Sequence, residues 1–255
     1  MTAAVLRAEG LAKRFRGVEA VRGVDLAVEA GEAVALIGPN GAGKTTCFNM
    51  IGGQVAPDAG RVWLEGEEVT GRPPRLLWRR GVGRSFQITQ AFASMTVREN
   101  VQIALHAKAG RLWRFMGRMG ASLVDEADAI LARIGMREEA ERPCAILAYG
   151  DLKRIELAIA LAGAPKLMLM DEPTAGMAPK ERVELMGLAA SLAKREGIAV
   201  LFTEHDMDVV FAHADRIIVL DRGAILAQGK PEEIRVNEAV RAVYLGSGFE
   251  AARPV

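Results

Sequence analysis

"AVALIGPNGAGKTT", residues 33–46, is the stretch from which the rest of the chain can be read. Five apolar residues run into a turn with three glycines and a lysine, and helix-compatible sequence, "TCFNMIGG", follows. Strand, glycine-rich loop and helix start in that order fit G-x-x-x-x-G-K-[ST], with Gly38, Gly43, Lys44 and Thr45 at the defining positions. Glycines let backbone amides turn toward phosphate oxygens, and the helix N-terminus adds its positive dipole end. The expected phosphate cradle is therefore Gly38, Pro39, Asn40, Gly41, Ala42, Gly43, Lys44, Thr45 and Thr46. In such a loop Lys44 would hold the β- and γ-phosphates of a nucleotide, and Thr45 would give its hydroxyl to Mg²⁺.

A second stretch completes the chemistry. "LMLMDE", residues 167–172, has four apolar residues that suit a buried strand, followed by Asp171 and Glu172. An Asp at such a strand end can hold Mg²⁺ through water, and the adjacent Glu can orient or deprotonate an attacking water. Holding phosphate alone does not require Glu172, so the pair points to hydrolysis.

Around these two motifs, apolar runs bounded by glycine recur as "RVWLEG", "IAVLFTEH" and "RIIVLDRG", with helical patterns between several of them. "PKERVELMGLAASLAKREG" opens with Pro179 in its first turn and closes at Gly197. That alternation predicts an α/β fold with a mainly parallel sheet and crossover helices. "RIIVLDRGAILAQG" and "RVWLEGEEV" have the pattern of hairpins, so an antiparallel β portion is expected as well. Strand signals fade between about 88 and 164, which marks an inserted helical subdomain within one domain spanning 1–255. Inside it, Thr96 and Glu99 of "TVREN" have the spacing of a capping box. "GRLWRFMGRMG", residues 110–120, has the pattern of an amphipathic surface helix, with contact to a partner or a membrane face as the alternative.

Composition narrows the function classes. The chain has 255 residues, half of them apolar, and a net charge of +1, which argues against a general nucleic-acid binder. No window reaches the roughly 18 apolar residues of a membrane span, and "MTAAVLRAEGLAKRF" lacks a signal-peptide core, so a cytoplasmic chain is expected. Cys47 and Cys144 have neither CxxC nor zinc-like spacing and are expected to be reduced thiols.

In this order the motifs make the chain resemble an ATP-binding cassette ATPase of the P-loop NTPase class over nearly its whole length. The resemblance implies further site residues. Gln87 in "RSFQ" matches the loop that reaches Mg²⁺ and the attacking water, His205 in "FTEHDM" matches the switch histidine at the γ-phosphate, and Phe15 matches the residue that stacks on adenine. "LAYGD", residues 147–151, falls where the family commonly has LSGGQ, so Ala148, Tyr149, Gly150 and Asp151 are expected to close over a nucleotide held by a second subunit. Ala148 lacks the serine hydroxyl of that motif, and Tyr149 is expected to narrow the gap or supply its own.

The spelling "LAYGD", together with "EHDM" and "VRAVYLGSG", resembles ATP-binding subunits of high-affinity branched-chain amino-acid importers. That resemblance implies a second ATPase subunit, as a heterodimer by default and a homodimer otherwise, two membrane permeases and an external substrate-binding protein. It also implies a peripheral place on the cytoplasmic face of the membrane. ATPase subunits of lipid or lipopolysaccharide exporters, and soluble cassette ATPases without a membrane partner, share the hydrolytic motifs. One departure stands out: after "DEPTAG" the family usually has Asp or Asn two residues on, and here that position is Ala178.

Overall fold

A computed structural model describes residues 4–85, 91–110 and 123–244. Gln87, residues 111–120 of the amphipathic segment and the tail beyond Tyr244 lie outside the described residues. The first part of the chain runs β1 (Ala4–Phe15), β2 (Val18–Glu29), β3 (Ala33–Ile37), α1 (Lys44–Ile51), β4 (Ala59–Leu64), β5 (Glu67–Glu68), α2 (Pro74–Arg79) and β6 (Val82–Ser85). Helices follow: α3 (Val97–Lys108), α4 (Val124–Arg133), two short 3₁₀ turns and α5 (Tyr149–Ala162). The chain then alternates again through β7 (Leu167–Asp171), α6 (Pro179–Glu196), β8 (Ala199–Thr203), α7 (Met207–His213), β9 (Arg216–Asp221) and β10 (Ala224–Gly229), ending in α8 (Pro231–Val236) and α9 (Glu238–Tyr244).

Six strands form the central sheet in the order β10-β9-β3-β8-β7-β6, parallel throughout except for the β9–β10 hairpin. Every residue of β3, β7 and β8 is buried, which explains their unbroken apolar spelling. Side chains alternate between the two faces. Ala35, Ile37, Met168, Met170, Val200 and Phe202 share one core with the helices, whereas Val34, Leu36, Leu167, Leu169 and Leu201 share the other. That second core is closed by α1 and by a four-stranded antiparallel sheet, β2-β1-β4-β5, which the sequence patterns had shown only in its β4–β5 hairpin. A fully buried side chain such as Phe202 contributes about 1.5–3 kcal/mol of burial, so both layers are held mainly by apolar contact.

Because both faces of the sheet are covered, polar side chains collect at strand ends. β3, β8, β7 and β6 all end on the same edge, the carboxyl edge where open α/β sheets place ligands. Cys47 and Cys144 are both buried and unbridged, and burial pushes the Cys47 thiol up to about 12.

Helix ends follow their local sequence. Thr96 caps α3, accepting from the Glu99 N–H at 3.2 Å while Glu99 returns the bond to the Thr96 N–H at 2.8 Å. Asp206 caps α7 by accepting from the N–H groups of Asp208 and Val209. Ala178 stands at the N-cap of α6 with no oxygen to offer, and Glu181 supplies only the returning bond, to the Ala178 N–H at 3.2 Å. Replacing Ala178 with Asn should therefore raise the urea-unfolding free energy by about 1 kcal/mol.

Candidate functional site

The phosphate loop joins β3 to α1 and is pressed against its neighbours so closely that glycine is required. Gly43 has φ +99°, and a Cβ there would lie 2.3 Å from the Ala20 carbonyl of β2. At Gly38 a Cβ would meet the Leu220 carbonyl of β9 at 2.2 Å. Ala42 O accepts from the Gly223 N–H at 3.0 Å, and Gly223 O accepts from the Arg22 N–H at 2.7 Å, so β2 and the β9–β10 turn fix the loop from outside. Tyr244 at the end of α9 accepts a hydrogen bond from the Gly38 N–H, and burial pushes its phenol well above the usual range.

Lys44 is buried and donates to Gly38 O at 2.6 Å and Pro39 O at 3.1 Å. Loss of hydration lowers its pKa, an effect opposed by the nearby Glu172 and Asp171 carboxylates. These three residues thus face one another, as the two sequence motifs required. Asn40, Gly41 and Thr45 are exposed on the loop, while Ala42 is buried beneath it.

The carboxylates are set by β8. Asp171 and Thr203 are paired residues of adjacent strands, and the Thr203 hydroxyl donates to Asp171 Oδ1 at 2.7 Å. The same hydroxyl oxygen accepts from the Glu172 N–H at 3.0 Å, which the Thr203 carbonyl also accepts at 3.1 Å. Glu172 needs this anchoring because its φ of +48° is unfavourable for a residue with a side chain. Its Oε1 then lies 2.9 Å from Nε2 of His205. On the other side, the largely buried Arg84 guanidinium reaches 3.7 Å from Asp171 Oδ2, donates to Asn49 of α1 and stacks on Phe48. Thr203, Arg84 and Tyr244 are site residues that sequence reasoning did not single out. Only the polar end of "IAVLFT", a threonine closing an apolar strand, gave any signal.

Among the described residues no group of three or more His, Cys, Asp and Glu side chains is placed to hold a metal ion. The donors around Lys44 are the hydroxyl of the adjacent Thr45 and the Asp171 and Glu172 carboxylates, a set that fits Mg²⁺ only when phosphate oxygens complete its shell.

In "LAYGD", at the place of the family's LSGGQ signature and hereafter the signature segment, Ala148 is the N-cap of α5, and Tyr149, Gly150 and Asp151 form its first turn. Tyr149 is 42% exposed, and its hydroxyl donates to the Ala175 carbonyl of its own chain at 3.1 Å. Phe15, 44% exposed, ends β1 opposite Val18 with the Lys13 ammonium 5.6 Å from its ring centre.

A phosphate loop on the first central strand, with Asp171 and Glu172 closing a neighbouring parallel strand, defines a P-loop nucleoside triphosphatase. Residues 21–175 match the ABC transporter family and residues 224–250 match the branched-chain amino acid ATP-binding cassette transporter family. The chain is 39% identical to the high-affinity branched-chain amino acid transport ATP-binding protein BraF of Pseudomonas aeruginosa, over 96% of this chain and 99% of that one. The ADP conformation of MJ1267, an ATP-binding cassette of an ABC transporter, superposes with a TM-score of 0.85 at 31% identity, covering 96% of this chain and all of that one. The dimeric bacterial cassette MJ0796 superposes at 0.73 with 26% identity, over 89% and 98% of the two chains. The chain belongs to the ABC transporter family, as an ATP-binding subunit with the ATPase fold.

Thr203 offers a direct check on this geometry. Thr203→Val keeps the shape but leaves Asp171 Oδ1 without its donor, and should lower turnover at saturating ATP by at least about tenfold while costing about 1–3 kcal/mol of stability. Thr203→Ser should retain most of both, as read by steady-state ATPase assay and urea unfolding.

Proposed function

We propose that the chain hydrolyses ATP to power import of branched-chain amino acids, as one of two ATPase subunits beneath two membrane permeases. Lys44 and the amides of residues 38–46 would hold the phosphates, and Phe15 would stack on adenine. Thr45 and Asp171 would hold Mg²⁺, with Gln87 as a further contact, and the ion would supply positive charge to offset the charge developing on the phosphates. Glu172 would take the proton of the attacking water, and His205 would turn from Glu172 to the γ-phosphate. The observation that carries hydrolysis is the contact between Glu172 and His205, at 2.9 Å, with the Glu172 backbone anchored by Thr203.

Dimer formation is supported by the likeness to the dimeric cassette and by the exposure of Ala148 and Tyr149 where α5 begins. There Ala148, Tyr149, Gly150 and Asp151 would close over the nucleotide of the other subunit, with Gly150 and the helix N-terminus meeting its phosphate. The resemblance to importers with two different ATPase chains favours a heterodimer. A cavity of about 510 Å³, lined by Trp78, Val82, Arg84, Ala107, Ile159 and others, opens between α2 and β6 on one side and α3 and α5 on the other. Arg84, which reaches toward Asp171, lines it, and that suits a permease segment that senses the state of the site. No described helix is long and apolar enough to cross a membrane, so attachment would be peripheral, at the cytoplasmic face.

The substrate class rests on the family match of residues 224–250 and on BraF, whose name specifies branched-chain amino acids. An external binding protein and the permeases would select the solute. In vesicles containing the permeases and the second ATPase encoded with this chain, leucine, isoleucine or valine with the binding protein should stimulate ATP hydrolysis. Basal turnover without stimulation by any amino acid would move the substrate to another solute or to lipid export. Glu172→Gln should abolish turnover and leave an ATP-bound dimer detectable by size-exclusion chromatography; an unchanged rate would remove Glu172 from the reaction.

A further inference from the structure

Residues 174–178 connect Glu172 to α6, and their backbone is gripped by side chains from three other places in the same chain. Buried Glu204 accepts from the Thr174 hydroxyl at 2.6 Å and from its N–H at 3.0 Å, and its second oxygen accepts from the His205 N–H at 3.2 Å. Tyr149 of the signature segment donates to Ala175 O. Arg182, one turn into α6, donates from Nε to Met177 O at 2.8 Å and from Nη1 to Asp206 Oδ2 at 3.0 Å. Tyr149 and Arg182 therefore take the carbonyls on either side of Gly176. That glycine has φ +80°, and a Cβ on it would meet the Tyr149 ring at 3.4 Å, so ring and turn are fitted to each other.

The far end of the Arg182 bridge matters because of what Asp206 does. Asp206 follows His205 directly, and its Oδ1 caps α7 while its Oδ2 receives Arg182. The guanidinium is about one-third exposed and the carboxylate less, so water only partly screens this charge-assisted pair. A shift of Met177 is thus transmitted to the residue beside His205, and a shift of Ala175 to the first turn of α5.

We propose that Arg182 and Tyr149 are positioning residues that keep residues 175–177 in register with His205 and with the signature segment, a connection the methyl group of Ala178 cannot make. The inference rests on reading Glu172 and His205 as the hydrolytic pair. In this role Arg182 and the Tyr149 hydroxyl act through the backbone carbonyls of their own chain, apart from any contact that the rest of Tyr149 makes with the nucleotide of a second subunit.

The test uses the chain assembled with its co-encoded partners and Mg-ATP, comparing Arg182→Ala, Asp206→Asn and Tyr149→Phe with the parent. Asp206→Asn retains the capping oxygen and so separates the bridge from the fold of α7. Turnover should fall about tenfold in Arg182→Ala and about threefold in Tyr149→Phe, with the KM for ATP unchanged within about twofold. Arg182→Ala combined with Asp206→Asn should be no slower than Arg182→Ala alone. Independently of activity, hydrogen exchange at the Met177 and Ala178 amides should quicken about tenfold in Arg182→Ala, with the central strands unchanged. Parental turnover with parental exchange would overturn the proposal, as would additive losses in the double variant or faster exchange throughout the core. A parent chain that does not hydrolyse ATP would instead refute the hydrolytic reading, and the exchange comparison would still decide the positioning role.

Discussion

The Thr203 hydroxyl, wedged between Asp171 and the Glu172 N–H, is the interaction on which the site depends. It donates once and accepts once, so it orders two acidic neighbours that would otherwise repel each other and drift apart. Its position follows from packing, since the parallel register of β7 and β8 puts Thr203 beside Asp171 at the point where both strands leave the core. The buried sheet thereby acts as a ruler. It sets the side chains at its carboxyl edge without any of them contributing to the apolar core.

The same constraint explains where the structure is unforgiving. Gly38 and Gly43 are squeezed between strands because the phosphate loop must wrap the end of β3 while β2 and β9 run past it. Lys44 satisfies itself on two carbonyls of that loop, so its ammonium is held in place by the loop it serves. Tyr244 closes the arrangement from the C-terminal side, bringing the end of α9 into contact with the first residue of the loop.

Legibility in the sequence followed burial. β3, β7 and β8 could be read because strands covered on both faces spell unbroken apolar runs, and the loop and carboxylate motifs were fixed to their ends. β1 and β2 could not, because charges at Arg7 and Glu9 and a kink at Gly10 interrupt the alternation, and the pair itself carries several register shifts. β6 is four residues long and includes a glycine and a largely buried arginine, too little pattern to recognise. Thr203, Arg84 and Arg182 acquire their roles only through neighbours distant in sequence. Nothing local distinguishes Arg182 from other arginines on amphipathic helices.

Glu172 and His205 face each other here at 2.9 Å, yet in the proposed reaction they would serve different partners, the attacking water and the γ-phosphate. The hydrogen bond between them would then be one that turnover exchanges rather than keeps. Glu172 is held through its backbone and His205 through Glu204 and the capped start of α7, so both side chains can turn while their anchors stay fixed. The anchors meet in residues 174–178, which also touch the signature segment through Tyr149. A change at one nucleotide site thus has a mechanical route to the surface that a second subunit would close upon. In this chain that route runs through backbone carbonyls held by Tyr149 and Arg182, because residue 178 offers only a methyl group.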